Sequence, residues 1–124
     1  MNMNLRLCAG CRCLAARRDA RAITRHFEAR LRRHGLKATQ FSLLASLALT
    51  GPKPMRDLAE MLGLERTTLT RNAALLERHG WIDVDRPKDR RERPLRLTAS
   101  GREKLESAYP DWKAAQDSLA ERTL

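Results

Sequence analysis

The chain has 124 residues, enough for one domain with a modest core and too few for two. Its 25 Lys+Arg against 15 Asp+Glu give a net charge of +10, and such an excess selects for a polyanionic partner, nucleic acid before an anionic membrane surface. No apolar run approaches a membrane span, the arginine-broken amino terminus is no secretory signal, and the low aromatic content disfavours readers that stack RNA bases. The chain is therefore expected in the cytoplasm, where thiols stay reduced.

The charge is uneven. Residues 1–37 hold ten Lys/Arg against Asp19 and Glu28, a local +8, while the remainder contributes only +2. From Leu14 to about His34, Ala16, Ala20, Ile23, Phe27 and Leu31 recur at helical steps, with arginines over much of the other circumference and Gly35 as terminator. A second helix is predicted to start at a Thr39 cap, bury Phe41, Leu44, Leu47 and Ala48, and stop at Gly51-Pro52. Pro54 suits the first turn of a short third helix that buries Leu58, Ala59 and Leu62. A fourth helix follows from Glu65 and closes at Gly80.

Beyond Gly80 the period changes to two. Trp81–Asp85 and Pro94–Thr98 alternate, with Ile82, Val84, Leu95 and Leu97 on one face, so they form a hairpin around an arginine-rich turn. Thr98 caps a last helix in which Leu105, Ala108, Trp112, Ala115 and Leu119 make a helix-pairing seam, with a kink expected at Pro110.

The third and fourth helices meet the demands of a DNA-reading helix-turn-helix. Ala59 is small enough for close crossing, Gly63 permits the turn, and Leu69 anchors the second helix. This leaves Arg66, Thr67, Thr68, Thr70 and Arg71 outward, hydroxyls and guanidiniums suited to base edges and phosphates. Glu65 sits where an acid meets the positive end of the helix dipole. A hairpin with a basic tip directly after such a pair makes a winged helix, and its arginines suit a narrow minor groove. The expected architecture is mainly α with a small β-hairpin wing.

The stretch from Leu58 to Gly101 resembles the core of the MarR family of regulators. Its most specific part is Asp89-Arg90-Arg91, five residues, Leu97-Thr98, two residues, Gly101. The resemblance implies one domain over 1–124. Residues 1–37 and 99–124 would supply dimerisation helices, and 39–98 a winged helix-turn-helix core. It implies a homodimer on a palindromic double-stranded DNA site, usually as a repressor released by a small lipophilic ligand or by cysteine oxidation. By position it assigns Arg91 to the minor groove, Asp89 to holding that arginine, Arg90 to wing support or phosphate, and Thr67, Thr68 and Arg71 to the major groove. Arg66 and Thr70 would meet phosphate or base. The chain ends at Leu124 before the further terminal helix usual in the family, which implies weaker pairing.

Cys8, Cys11 and Cys13 lie together among Arg6, Arg12, Arg17 and Arg18, the electropositive surroundings in which thiol sensors are found. Three thiols without a nearby histidine do not make a zinc set, and a bond within one helix would be strained, so a link between subunits fits better. His26, His34, Phe27, Phe41 and Trp112 are expected to pack, and aromatics of this kind also line the family's effector pocket. A thiol enzyme is disfavoured because no histidine is placed as a base. A winged-helix module that binds protein instead of DNA is the remaining alternative, and salt dependence of binding separates the two.

Overall fold

Leucine burial organises the chain. In a computed structural model that describes residues 2–85 and 94–123, with side chains through residue 120, the fully buried large side chains are Leu31, Leu43, Leu44, Leu47, Leu58, Leu69, Leu76, Ile82 and Leu95. They come from four helices, α1 (Arg12–Leu31), α2 (Ala38–Thr50), α3 (Met55–Leu62) and α4 (Arg66–Arg78), and two strands, β2 (Ile82–Val84) and β3 (Pro94–Leu97), while α5 (Ala99–Thr123) packs on α1 and α2. Short 3-10 turns precede α1 (Leu5–Gly10) and follow it (Arg32–His34). Truncating a buried leucine of this kind costs ~2–5 kcal/mol, a large share of a small domain's stability.

The first helix lies mostly outside the core. Every residue from 2 to 25 is exposed, including Ala16, Ala20 and Ile23 of the apolar stripe, and only Leu31 is buried. The last part of α1 is tied to α5. His26 Nε2 donates to the Ala115 carbonyl (2.9 Å), and His34 Nε2 donates to Asp111 Oδ2 (2.6 Å). Arg33 Nε donates to the same carboxylate (2.7 Å). The His34 bond, then the Arg33 bond, hold the Asp111 carboxyl below its ordinary value. Both histidines thus pack, as expected. The seam of α5 pairs with α1 of the same chain, Ala108 and Ala115 being fully buried. The helix continues past Pro110 without a break, because Pro110 is exposed and water can satisfy the carbonyl it frees.

Two local expectations are corrected. Thr39 lies inside α2 and is not its cap. The start at Lys37 is satisfied by Gln40, whose Oε1 accepts from Lys37 N (3.0 Å), and by Glu28 of α1, whose Oε2 accepts from Ala38 N (2.9 Å). Pro54 precedes α3 as its N-cap and belongs to a third strand, β1 (Lys53–Pro54), which makes the sheet order β1-β3-β2, antiparallel throughout.

The foot of the hairpin is locked to α5. Thr98 Oγ1 accepts from Gly101 N (2.9 Å), the predicted cap, and donates to the Gly80 carbonyl (2.6 Å), while Thr98 N donates to the Trp81 carbonyl (3.1 Å). Gly101 packs on that same carbonyl so closely that a Cβ would lie 1.9 Å from the Trp81 oxygen. Gly101→Ala is expected to destabilise the fold by ~1–3 kcal/mol, toward the upper end because the obstruction is backbone. Urea unfolding of the variant against wild type measures it.

Candidate nucleic-acid interface

The turn between α3 and α4 is built as its residues require. Gly63 adopts φ 64°, the left-handed conformation that ends α3, with Leu64 N donating to the Ala59 carbonyl (2.9 Å). Glu65 is the N-cap residue of α4, where its charge opposes the positive helix end. Leu69, Ala73 and Leu76 then turn inward and are buried.

With that face anchored, the outer side of α4 divides into strips at i,i+4 spacing. Thr67 and Arg71 share one strip, and both are exposed. Arg66 and Thr70 share the next, also exposed, with Thr70 Oγ1 donating to the Arg66 carbonyl (2.8 Å). Among the described residues neither Arg66 nor Arg71 has an ion-pair partner, so both guanidiniums are free for phosphate or a base edge. Thr68 differs from the expectation. It is half-buried, because its strip, shared with Asn72, turns toward α2. Asn72 Nδ2 donates to the Thr68 carbonyl (3.0 Å).

The hairpin rises directly from the end of α4. Trp81 N donates to the Leu76 carbonyl (3.0 Å), and the Trp81 ring stacks on His79 (centroids 4.4 Å apart, 12° between planes). Ile82 pairs with Leu97, Asp83 with Arg96 and Val84 with Leu95, so Ile82, Val84, Leu95 and Leu97 share the inner face as predicted. Asp85 N donates to the Pro94 carbonyl (2.9 Å) and closes the root from which residues 86–93 depart. Asp89, Arg90 and Arg91 lie outside the described residues. Strand β1 pairs Lys53 with Leu95 and Pro54 with Pro94, so the root is also bound to the start of α3. Sequence reasoning missed this strand, and also Arg56 on the first turn of α3, an exposed cation whose contact with neighbouring Asp57 is long, 3.7 Å.

Elsewhere, Phe27, Ile23, Leu31, Ala38, Ser42 and Trp112 line a cavity of about 200 Å³ between α1, α2 and α5, and the Trp112 ring also stacks on Phe41 (5.6 Å, 13°). Cys8, Cys11 and Cys13 are exposed and unpaired with one another; Arg17 Nη2 donates to Cys13 Sγ (3.1 Å). Among the described residues no group of His, Cys, Asp and Glu is arranged to hold a metal, and no helix is long and apolar enough to cross a membrane.

A glycine-hinged helix pair whose second helix carries free arginines, followed by a hairpin rooted on that helix, defines a winged helix-turn-helix regulator. The MarR family profile matches residues 34–92, and the chain belongs to that family of transcriptional regulators, which are not enzymes. The chain is similar to the M. tuberculosis transcriptional regulator MosR in complex with DNA, with 40% identity, a TM-score of 0.82, and coverage of 90% of this chain and 81% of that one. Reduced AbfR bound to DNA is also similar, at 25% identity and a TM-score of 0.77 over 89% of this chain and 81% of that one. The HTH-type transcriptional regulator YwoH of Bacillus subtilis (strain 168) is 32% identical over 88 residues, 71% of this chain. That match spans 64% of YwoH, just under two thirds of its length.

Arg71→Ala is expected to weaken duplex binding by ~1–3 kcal/mol while leaving the thermal midpoint unchanged, since the side chain is exposed and supports no neighbour. Fluorescence anisotropy with a labelled duplex, beside a thermal melt, separates the two effects.

Proposed function

We propose that this chain is a cytoplasmic, sequence-specific repressor that binds a palindromic double-stranded operator as a homodimer. The observation that carries this reading is the free Arg66/Thr67/Thr70/Arg71 face of α4, set back to back with its buried leucines and beside a wing root bonded to the same helix. Thr67 and Arg71 are placed for the major groove. Thr68, half-buried on the strip it shares with Asn72, stands at the edge of that face. Arg91 enters the adjacent minor groove with Asp89 holding it, and Arg90 supports the wing or meets phosphate.

A dimer follows from two considerations. One domain makes too few contacts for tight specific binding, and two copies double them on half-sites a helical turn apart. The exposed Leu5, Leu7, Leu14 and Ile23 lie along an amino-terminal segment that is exposed from residue 2 to 25. Within it the exposed part of α1, from Arg12 to Arg25, is short enough to be marginal in water without tertiary support, and a partner's helices would supply the support. Residues 1–37 and 99–124 are accordingly the dimerisation elements and 39–98 the DNA-binding core.

Release of DNA would come through a small lipophilic effector in the aromatic-lined cavity beside Trp112, or through modification of Cys8, Cys11 and Cys13. The exposed thiols, one of them bonded to Arg17, support the second route.

The deciding experiment measures affinity for duplex from the region upstream of the coding sequence as salt is raised. Groove binding through several phosphates is expected to lose orders of magnitude between low and moderate salt, and Arg91→Ala to cost a further ~1–3 kcal/mol. Salt-independent binding would point to a protein-interaction module instead. For the cysteines, peroxide is expected to release wild type from the duplex and to leave the variant with serine at all three positions bound. Equal responses would remove the thiols from regulation.

A further inference from the structure

Gln40 is the one polar side chain buried among the described residues, 7% exposed, inside a core otherwise made of leucine, isoleucine, alanine and phenylalanine. A buried amide needs partners at both ends. Its Oε1 accepts from Lys37 N (3.0 Å), at the start of its own helix. Its Nε2 donates to Asn72 Oδ1 on α4 (3.5 Å), and Asn72 Nδ2 donates to the Thr68 carbonyl (3.0 Å). The orientation of both amides is forced. Lys37 N offers only a donor and the Thr68 carbonyl only an acceptor, so turning either amide over would set donor against donor or acceptor against acceptor.

Leucine contacts between α2 and α4 tolerate small slides and rotations, because dispersion and apolar burial have no direction. A hydrogen bond does have direction. The Gln40–Asn72 link grips α4 at the turn that holds Thr67, Thr68 and Arg71, and its net energy is small compared with the leucines around it. An apolar pair of similar shape would stabilise the fold as well. We infer that Gln40 is a positioning residue for DNA recognition: through Asn72 it sets the rotation of α4, and so the angle at which Thr67 and Arg71 meet a groove.

The inference rests on the DNA-binding reading above and reaches one step further back. The same α2 start is held to α1 by Glu28, whose Oε2 accepts from Ala38 N (2.9 Å). One polar path therefore runs from α1 through Lys37 and Gln40 to the recognition helix. The 3.5 Å contact is its longest link, so it parts first if α2 and α4 separate.

The test uses Gln40→Met, apolar and of similar length, Asn72→Leu, and the double variant. The probes are a duplex selected by wild type from a randomised library and a scrambled duplex of equal length. Either single change is expected to reduce affinity for the selected duplex about three- to tenfold, as loss of one hydrogen bond would. Scrambled-duplex affinity should hold, and the double variant should be no worse than either single one, because both remove the same link. Without DNA, amide exchange over residues 67–71 should quicken in each variant. Unchanged selected-duplex affinity, additive losses, or equal losses on both duplexes would overturn the assignment. If Gln40→Met fails to fold, Asn72→Leu, at a half-buried site, carries the same comparison. If wild type selects no duplex, the DNA-binding reading fails, while the exchange measurement still decides whether Gln40 orders α4.

Discussion

A helix can present one face to a groove only if its opposite face is held, and in this chain Leu69, Ala73 and Leu76 do the holding. Their burial against α2, α3 and the sheet fixes which residues of α4 are left outside. Everything functional in the core depends on that seat. The Gly63 turn is tight because Leu58 and Leu69 must share one core across it, and the hairpin begins where it does because Trp81 N is bonded back to Leu76.

The second organising feature is the joint around Trp81. Its carbonyl receives Thr98 N and abuts Gly101, its ring stacks on His79, and Lys104 of α5 lies 5.1 Å from the ring centroid while donating to the His34 carbonyl (3.0 Å). The wing root is thereby joined to α5, and α5 to the end of α1 through His34, His26 and Asp111. The hairpin foot, α5 and the end of α1 are thus joined by groups in direct contact.

Much of the core was legible because its determinants are local. Ala59, Gly63 and Leu69 give the spacing of a helix-turn-helix and the basic hairpin behind them decides the reading, while the Thr98 cap and the Ile82/Val84/Leu95/Leu97 face follow from single residues and a period of two. The misreadings have non-local causes. Thr39 looked like a cap because a hydroxyl stood at the right place, but Glu28 on another helix satisfied the backbone first. Strand β1 has two residues, too few to show any period, and exists because β3 is there to pair with it. Thr68 is half-buried on the strip whose Asn72 meets Gln40 of α2, a neighbour that no helical wheel of α4 contains. The exposed stripe of α1 shows the complementary case: its apolar spacing is plain in the sequence, but among the described residues nothing buries it.

The bond from the Thr70 hydroxyl to the Arg66 carbonyl has a consequence for the letters this protein could tell apart. With its proton engaged on the helix, the oxygen retains only lone pairs. Were it to face a base pair, it would suit the exocyclic amines of adenine and cytosine and be ill matched to the keto oxygens of guanine and thymine. A threonine that seems indifferent on paper would then act, in this conformation, as a filter for hydrogen-bond polarity.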